Sequence, residues 1–231
     1  LVFSVEFGIG AATAELRLVQ SKVRSAYDPP MPAPDGRRRR VGVFGGTFDP
    51  PHIGHLVTAA DVRFRLELDV VLMVVANEPW QKVGTRSVSP AADRFAMVQA
   101  AVGDEPGVEA SDVELRRGGP SYTIDTLEAL RREDPDAQLF LVLGGDAAAG
   151  LDTWERPAEV AAAATIVVVD RPGSISEVPD GFRVDRVDVP RLEVSSTELR
   201  ERVRDGRPTR HLLPDAVISL IAERGLYGGG S

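Results

Sequence analysis

The stretch Val41-Gly42-Val43-Phe44-Gly45-Gly46-Thr47-Phe48-Asp49-Pro50-Pro51-His52-Ile53-Gly54-His55 decides how this chain reads. Val41 to Phe44 is a short apolar run ending in a glycine pair, which predicts a buried strand entering a tight turn. From about His52 to Leu68 the pattern turns helical, with Leu56, Ala60 and Phe64 four apart on one apolar face. A glycine pair after a buried strand lets backbone amides come close to a phosphate. The following helix presents its unpaired N–H groups and the positive end of its dipole to the same place. Two of the chain's three histidines, His52 and His55, sit at this helix start, three apart and so on one face. The same spacing suits a metal pair, but two histidines without a cysteine make an incomplete zinc site. The turn matches neither GxGxxG nor the P-loop pattern GxxxxGK[ST].

Outward from this stretch, strands and helices alternate. Val70 to Val75 is almost wholly β-branched, as a central parallel strand covered on both faces would be. Ser89-Pro90 predicts a helix start, with Ser89 as N-cap and Phe95, Val98 and Val102 on the apolar face. Val108 to Leu115 predicts one or two short strands, and Thr123 to Arg132 a helix that buries Ile124, Leu127 and Leu130. Leu139 to Leu143 is another apolar strand, again ending in a glycine pair, Gly144-Gly145. An Ala-rich helix over 157–164, a strand from Thr165 to Val169 and two closing helices over 195–205 and 214–224 complete the order. Such alternation predicts an α/β fold: a Rossmann-like, doubly wound parallel sheet with helices on both faces, forming one domain over 40–231. Ligands of such sheets bind at the carboxyl ends of the strands, where the strand order changes direction, and both glycine pairs lie at strand ends.

Composition narrows the function. The chain has 231 residues, 43% of them hydrophobic, enough for a sizeable core. Its net charge of −8 opposes a polyanion, so nucleic acid is not an expected partner. Without cysteine, disulfides, Cys–Zn sites and thiol nucleophiles are excluded. No apolar run approaches the ~20 residues of a membrane span, so no membrane association is expected and the cytoplasm is the expected location. Residues 1–39 carry a Pro-rich segment from Asp28 to Asp35 and then four arginines, Arg37 to Arg40, which read as an unstructured lead. The first methionine is Met31, and the expectation is that translation begins there.

A second motif, Ser195-Ser196-Thr197-Glu198-Leu199-Arg200, follows about 140 residues after the first. Ser195 with Glu198 is a capping box, S-x-x-E. A capping box needs neither the hydroxyls of Ser196 and Thr197 nor the guanidinium of Arg200. Three hydroxyls at a helix start can donate to phosphate oxygens, and an arginine one turn on adds a fork of charge.

The eleven residues from Gly45 to His55 resemble the signature of the nucleotidyltransferase superfamily with its HxGH core, and Ser195 to Arg200 resembles its SSTxxR signature. From residue 40 to near the C-terminus the chain looks like the bacterial nicotinate-nucleotide adenylyltransferases. That resemblance implies transfer of AMP from ATP to nicotinate mononucleotide, giving deamido-NAD and pyrophosphate, with Mg²⁺ carried on ATP and no protein metal ligands that can be named. It implies catalytic roles for His52, His55 and Arg200. It implies ATP binding by Gly45, Gly46, Thr47, Phe48, His52, His55, Gly144, Asp146, Ser195, Ser196, Thr197 and Arg200. Nicotinate-nucleotide binding falls to Lys82, to Thr123 in the segment Ser121 to Leu127, and to Trp154, which in the family stacks on the pyridine ring. Where family members commonly read P-x-x-P-H-K, this chain has Trp80 and Gln81 for the Pro-His pair, so only Lys82 carries over. Arg94 and Met97 fit the family's R-x-x-M; Arg94 also reads as a solvated surface charge. His211 falls outside the chemistry, and a homo-oligomer is compatible with all of this.

Phosphopantetheine adenylyltransferase and other adenylyl- or cytidylyltransferases remain the alternative enzymes, less favoured by the glycine-pair start, the length and the Trp154 segment. A class I aminoacyl-tRNA synthetase lacks support because no KMSKS-like lysine loop is present. A nucleotide-sensing module would need an eroded triphosphate site, and both histidines and Arg200 are intact.

Overall fold

A computed structural model describes residues 37–79, 88–103, 105–170, 175–190 and 192–228. The expected start at Met31, Trp80, Gln81 and Lys82 lie outside them. Six strands form one parallel sheet: β1 (Arg40–Gly46), β2 (Val70–Val75), β3 (Val108–Ser111), β4 (Gln138–Gly144), β5 (Thr165–Asp170) and β6 (Val184–Asp188). Their order is β3-β2-β1-β4-β5-β6. The chain first winds outward from β1 through β2 to β3, then returns to the other side of β1 and winds outward again. The strand order therefore reverses between β1 and β4, the topological switch of a doubly wound sheet.

Both faces of the central strands are buried, which is why they read as unbroken apolar runs. Val41, Val43, Leu72, Val74, Leu139 and Leu141 point to one face. There they meet α3 (Val113–Arg117), α4 (Thr123–Glu133), α5 (Gly145–Ala149) and α6 (Pro157–Ala163). Val71, Met73, Val75, Phe140 and Val142 point to the other, under α1 (Ile53–Arg65) and α2 (Ala91–Val102). The far side of α2 buries Met97 and Ala101 against α7 (Ser196–Arg204) and α8 (Asp215–Glu223). A last 3₁₀ turn, Leu226–Gly228, follows α8.

Several local expectations are corrected. Helix α1 is shorter than His52 to Leu68, and its buried side is Ala59 and Val62, while Phe64 is 83% exposed. Four-residue spacing drifts around a helix of 3.6 residues per turn, and Phe64 has drifted off the core face. Pro90, not Ser89, is the N-cap of α2, with no side-chain cap. Val108 to Leu115 holds one strand and then α3, because Asp112 ends the pairing. Strand β6 has no counterpart among the sequence expectations. Its sequence, Val-Asp-Arg-Val-Asp, is that of a half-exposed edge strand with only Val187 buried, so it offers no apolar run to read. Arg186 ties it to the buried carboxylate of Asp170 at the end of β5, 2.6 Å away. At the other end, Arg37 holds Asp69 at 2.7 Å and the Arg39 carbonyl accepts from Gln138 N–H.

Candidate active site

The two glycine pairs meet at the switch point. The β1–β4 ladder runs as far as Val43 with Leu141, and both pairs stand past that last pairing, at the carboxyl ends of these neighbouring strands. A Cβ on Gly45 or on Gly144 would stand in open space, so at both positions the missing side chain leaves room for a ligand against the backbone. Gly46 is different: its Cβ would come within 2.7 Å of the Phe48 ring. Phe48 is 3% exposed, and its ring packs edge-on to Phe44 and to His55 at 5.8 and 5.0 Å. The Phe48 side chain therefore belongs to the core, which leaves only its backbone for a nucleotide, a narrower role than the resemblance implies.

His52 and His55 do share one face, and their rings stack at 3.7 Å. Gly54 makes room for this, since a Cβ there would press on the His52 ring at 3.1 Å and on Val194 at 3.2 Å. The His52 N–H donates to His55 Nδ1 at 3.1 Å. That bond occupies the Nδ1 lone pair, so neutral His55 carries its proton on Nε2. His52 is 7% exposed, and burial lowers its pKa to about 4. At neutral pH it is an uncharged imidazole, with a buried Nδ1 that has no partner among the described residues.

The second motif comes to the same place across 146 positions of sequence. Ser196 Oγ donates to the Pro50 carbonyl at 2.8 Å, and Arg200 Nη1 donates to the Asp49 carbonyl at 2.7 Å. These contacts set the N-terminus of α7 beside that of α1, two positive dipole ends facing one locus. Arg200 Nη2 donates to Thr197 Oγ1 at 3.1 Å. The expected fork on phosphate is thus partly engaged with the protein: it orders the loop and the Thr197 hydroxyl. Only half of the capping box forms. Ser195 Oγ accepts from Glu198 N–H at 3.2 Å, but the Glu198 carboxylate pairs with Arg202 at 2.7 Å. Asp146 is exposed in the first turn of α5 and caps nothing.

On the other side of the Gly45–Gly46 turn lies a cavity of about 240 Å³. Gly45, Gly46 and Thr47 form one wall; Tyr122, Thr123, Trp154 and Glu155 face them. The 3₁₀ turn Leu151–Thr153 delivers Trp154, half-buried, with its indole Nε1 buried and lacking a partner among the described residues. Arg156, left-handed at φ 50° before α6, reaches back to Asp125 at 2.6 Å and Glu128 at 2.9 Å. It fastens the Trp154 segment to the helix that Thr123 begins. Ser121 and Tyr122, in the segment expected to bind the mononucleotide, line it as well, and so does the buried Glu114, which has no counterpart among the sequence expectations. Glu114 accepts from Thr126 Oγ1 at 2.7 Å and from Asn77 N–H at 3.3 Å. No local pattern marks it, because Glu109, Ser111 and Asp112 make its segment polar throughout.

Arg94 is the largest revision. It is 1% exposed, neither surface charge nor ligand contact. Its guanidinium donates to the carbonyls of Ser89 (2.8 Å), Thr47 (3.0 Å), Ala76 (2.6 Å) and Asn77 (3.1 Å). It staples the loops after β1 and β2 to the start of α2. His211 is exposed, and the carbonyl of its neighbour Leu212 accepts from Ile53 N–H at 3.0 Å. Among the described residues, no group of three or more His, Cys, Asp or Glu could hold a metal ion, and no helix is long and apolar enough to cross a membrane.

The comparisons with known proteins agree with this geometry. The family model described as cytidylyltransferase-like matches residues 43–202, from β1 through the end of the second motif. A protein of Acidothermus cellulolyticus named "Probable nicotinate-nucleotide adenylyltransferase" is 45% identical over 202 residues, 83% of this chain and 96% of that one. A protein of the same name from Corynebacterium glutamicum is 44% identical over 196 residues, 83% and 89% of the two chains. The nicotinic acid mononucleotide adenylyltransferase of Plasmodium falciparum, solved in complex with NaAD, shares the fold at a TM-score of 0.69 and 15% identity, over 84% of this chain and 99% of that one. With the stacked histidines, the converging second motif and relatives at this level of identity, the chain belongs to the nicotinate-nucleotide adenylyltransferases, a family of nucleotidyltransferase enzymes.

Proposed function

We propose that this enzyme transfers AMP from ATP to nicotinate mononucleotide in the cytoplasm, releasing deamido-NAD and pyrophosphate in NAD biosynthesis. The observation that carries the reading is the shared Gly45–Thr47 turn. On one side stand the histidines and the N-termini of α1 and α7; on the other, a cavity walled by Thr123 and Trp154. Triphosphate on the first side and mononucleotide in the second would put the two reacting phosphates at the turn between them.

A phosphate oxygen of the mononucleotide attacks the α-phosphorus; the bond from that phosphorus to the bridging oxygen breaks, and pyrophosphate leaves. The second phosphate pKa is about 6, so the nucleophile is already ionised and needs no base. The protein must align the groups and meet the growing negative charge. His55 offers its Nε2–H, His52 a neutral imidazole, Arg200 a cation, and the two helix starts the positive ends of their dipoles. Lys82 and Asp146 are proposed as further contacts of the mononucleotide and of ATP. Mg²⁺ is proposed to arrive with ATP, keeping several of its own waters. When bound it would neutralise phosphate charge.

Pyrophosphate release, measured with ATP and a set of acceptors, tests the proposal. Nicotinate mononucleotide should be the preferred acceptor, and His55→Ala should lower kcat by about 10²–10³ in a folded protein. Preference for phosphopantetheine, or an unchanged kcat in the variant, would overturn it.

A further inference from the structure

The turn after α8 makes a contact that adenylyl transfer as proposed leaves unused. After α8, Gly225 adopts a φ of 59° and Tyr227 a φ of 68°, the left-handed region that a residue with a Cβ avoids unless something holds it there. Two side chains hold this turn. Arg224 pairs with Asp93 on α2 at 2.5 Å, and the Tyr227 hydroxyl donates to Asp49 Oδ1 at 2.8 Å. Asp49 is 1% exposed, and its other oxygen accepts from Ser89 N–H at 3.4 Å. It therefore sits in the core rather than at the phosphates. Burial first, and then the neighbouring carboxylate of Asp49, push the Tyr227 phenol above its usual range, so it remains a donor throughout the working pH range.

The loop that Asp49 belongs to is held through its carbonyls. Arg94 takes the Thr47 carbonyl, Arg200 the Asp49 carbonyl and Ser196 the Pro50 carbonyl. The Asp49 side chain ties the loop to the C-terminal turn, with Tyr227 as its partner there.

We propose that Tyr227 is a positioning residue for adenylyl transfer: through Asp49 it fixes the Thr47–Pro50 loop and with it the start of α1 that carries His52 and His55. The idea rests on the function proposed above. It makes the C-terminal turn part of the ATP side of the site and leaves the Trp154 side independent of it.

Tyr227→Phe keeps the buried ring and deletes only the hydroxyl. Expected are a kcat lower by about tenfold and a raised KM for ATP. The KM for nicotinate mononucleotide should stay unchanged, and the amides of the 44–52 segment should exchange faster with solvent. A Tyr227→Phe, Asp49→Ala double variant should be no worse than Asp49→Ala alone, because both changes break one link. Asp49→Asn keeps an acceptor for the phenol and should retain more activity than Asp49→Ala. A lower melting temperature with unchanged kcat and ATP KM, additive losses in the double variant, or equal KM losses for both substrates would overturn the proposal. Hydrogen exchange and ATP binding are read without turnover. A wild-type protein that binds ATP but transfers nothing to nicotinate mononucleotide would refute the proposed reaction, and the exchange rates would still decide the role of Tyr227.

Discussion

Arg94→Met takes a charge out of the core while keeping most of the side chain's volume, and its cost can be worked from the four bonds Arg94 makes. Each bond serves a main-chain carbonyl, and the four carbonyls lie on three separate segments. A buried acceptor stripped of its partner costs about 1–3 kcal/mol. The total is smaller than four such penalties, because a buried guanidinium carries a desolvation cost that methionine removes. Four such penalties less that offset leave an expected loss of about 3–5 kcal/mol. For a domain of this size it corresponds to a fall in melting temperature of about 10 °C. Arg94→Lys should recover only part of it, since one ammonium cannot reach carbonyls spread across three segments. Calorimetry of the three proteins, with urea unfolding for the free energies, measures this directly. A loss below about 1 kcal/mol for the methionine variant would mean that the carbonyls re-pair or reach water, and the staple would not be what holds the loops.

Two further predictions follow from the same geometry. His52 takes up a proton near 4 in the folded state and near 6.5 when unfolded. Between these values only the unfolded chain gains the proton, so stability is full above pH 6.5 and falls as the pH drops toward 4, by at most about 3 kcal/mol. Urea unfolding at pH 7.5 and 4.5 should show a steeper loss for wild type than for His52→Asn, and parallel curves would refute it. Trp154→Ala should raise the KM for nicotinate mononucleotide about tenfold and leave that for ATP nearly unchanged, with Trp154→Phe in between. Equal losses for both substrates with a large fall in melting temperature would assign the indole to the core instead.

The sequence by itself determined the strand–turn–helix core of the site. Buried parallel strands must be apolar on both faces, and Val41 to Phe44, Val70 to Val75 and Leu139 to Leu143 can be little else. The alternation of these runs with helical periods fixes a doubly wound sheet, and the glycine pairs mark its ligand edge. The two signatures were legible because each packs its chemistry into consecutive residues. What only the tertiary structure decided is everything that depends on groups distant in sequence. That Arg94 serves carbonyls and not a ligand depends on three loops converging on it, and no local pattern separates a buried arginine from a solvated one. The engagement of Arg200 with Asp49, the burial that neutralises His52 and the reach of Tyr227 to a carboxylate 178 positions away are of the same kind. Spacing along a chain constrains which side chains share a face. The field, the burial and the hydrogen-bond partners of a side chain are set by whatever packs against that face, and in this fold those neighbours come from the far end of the sequence.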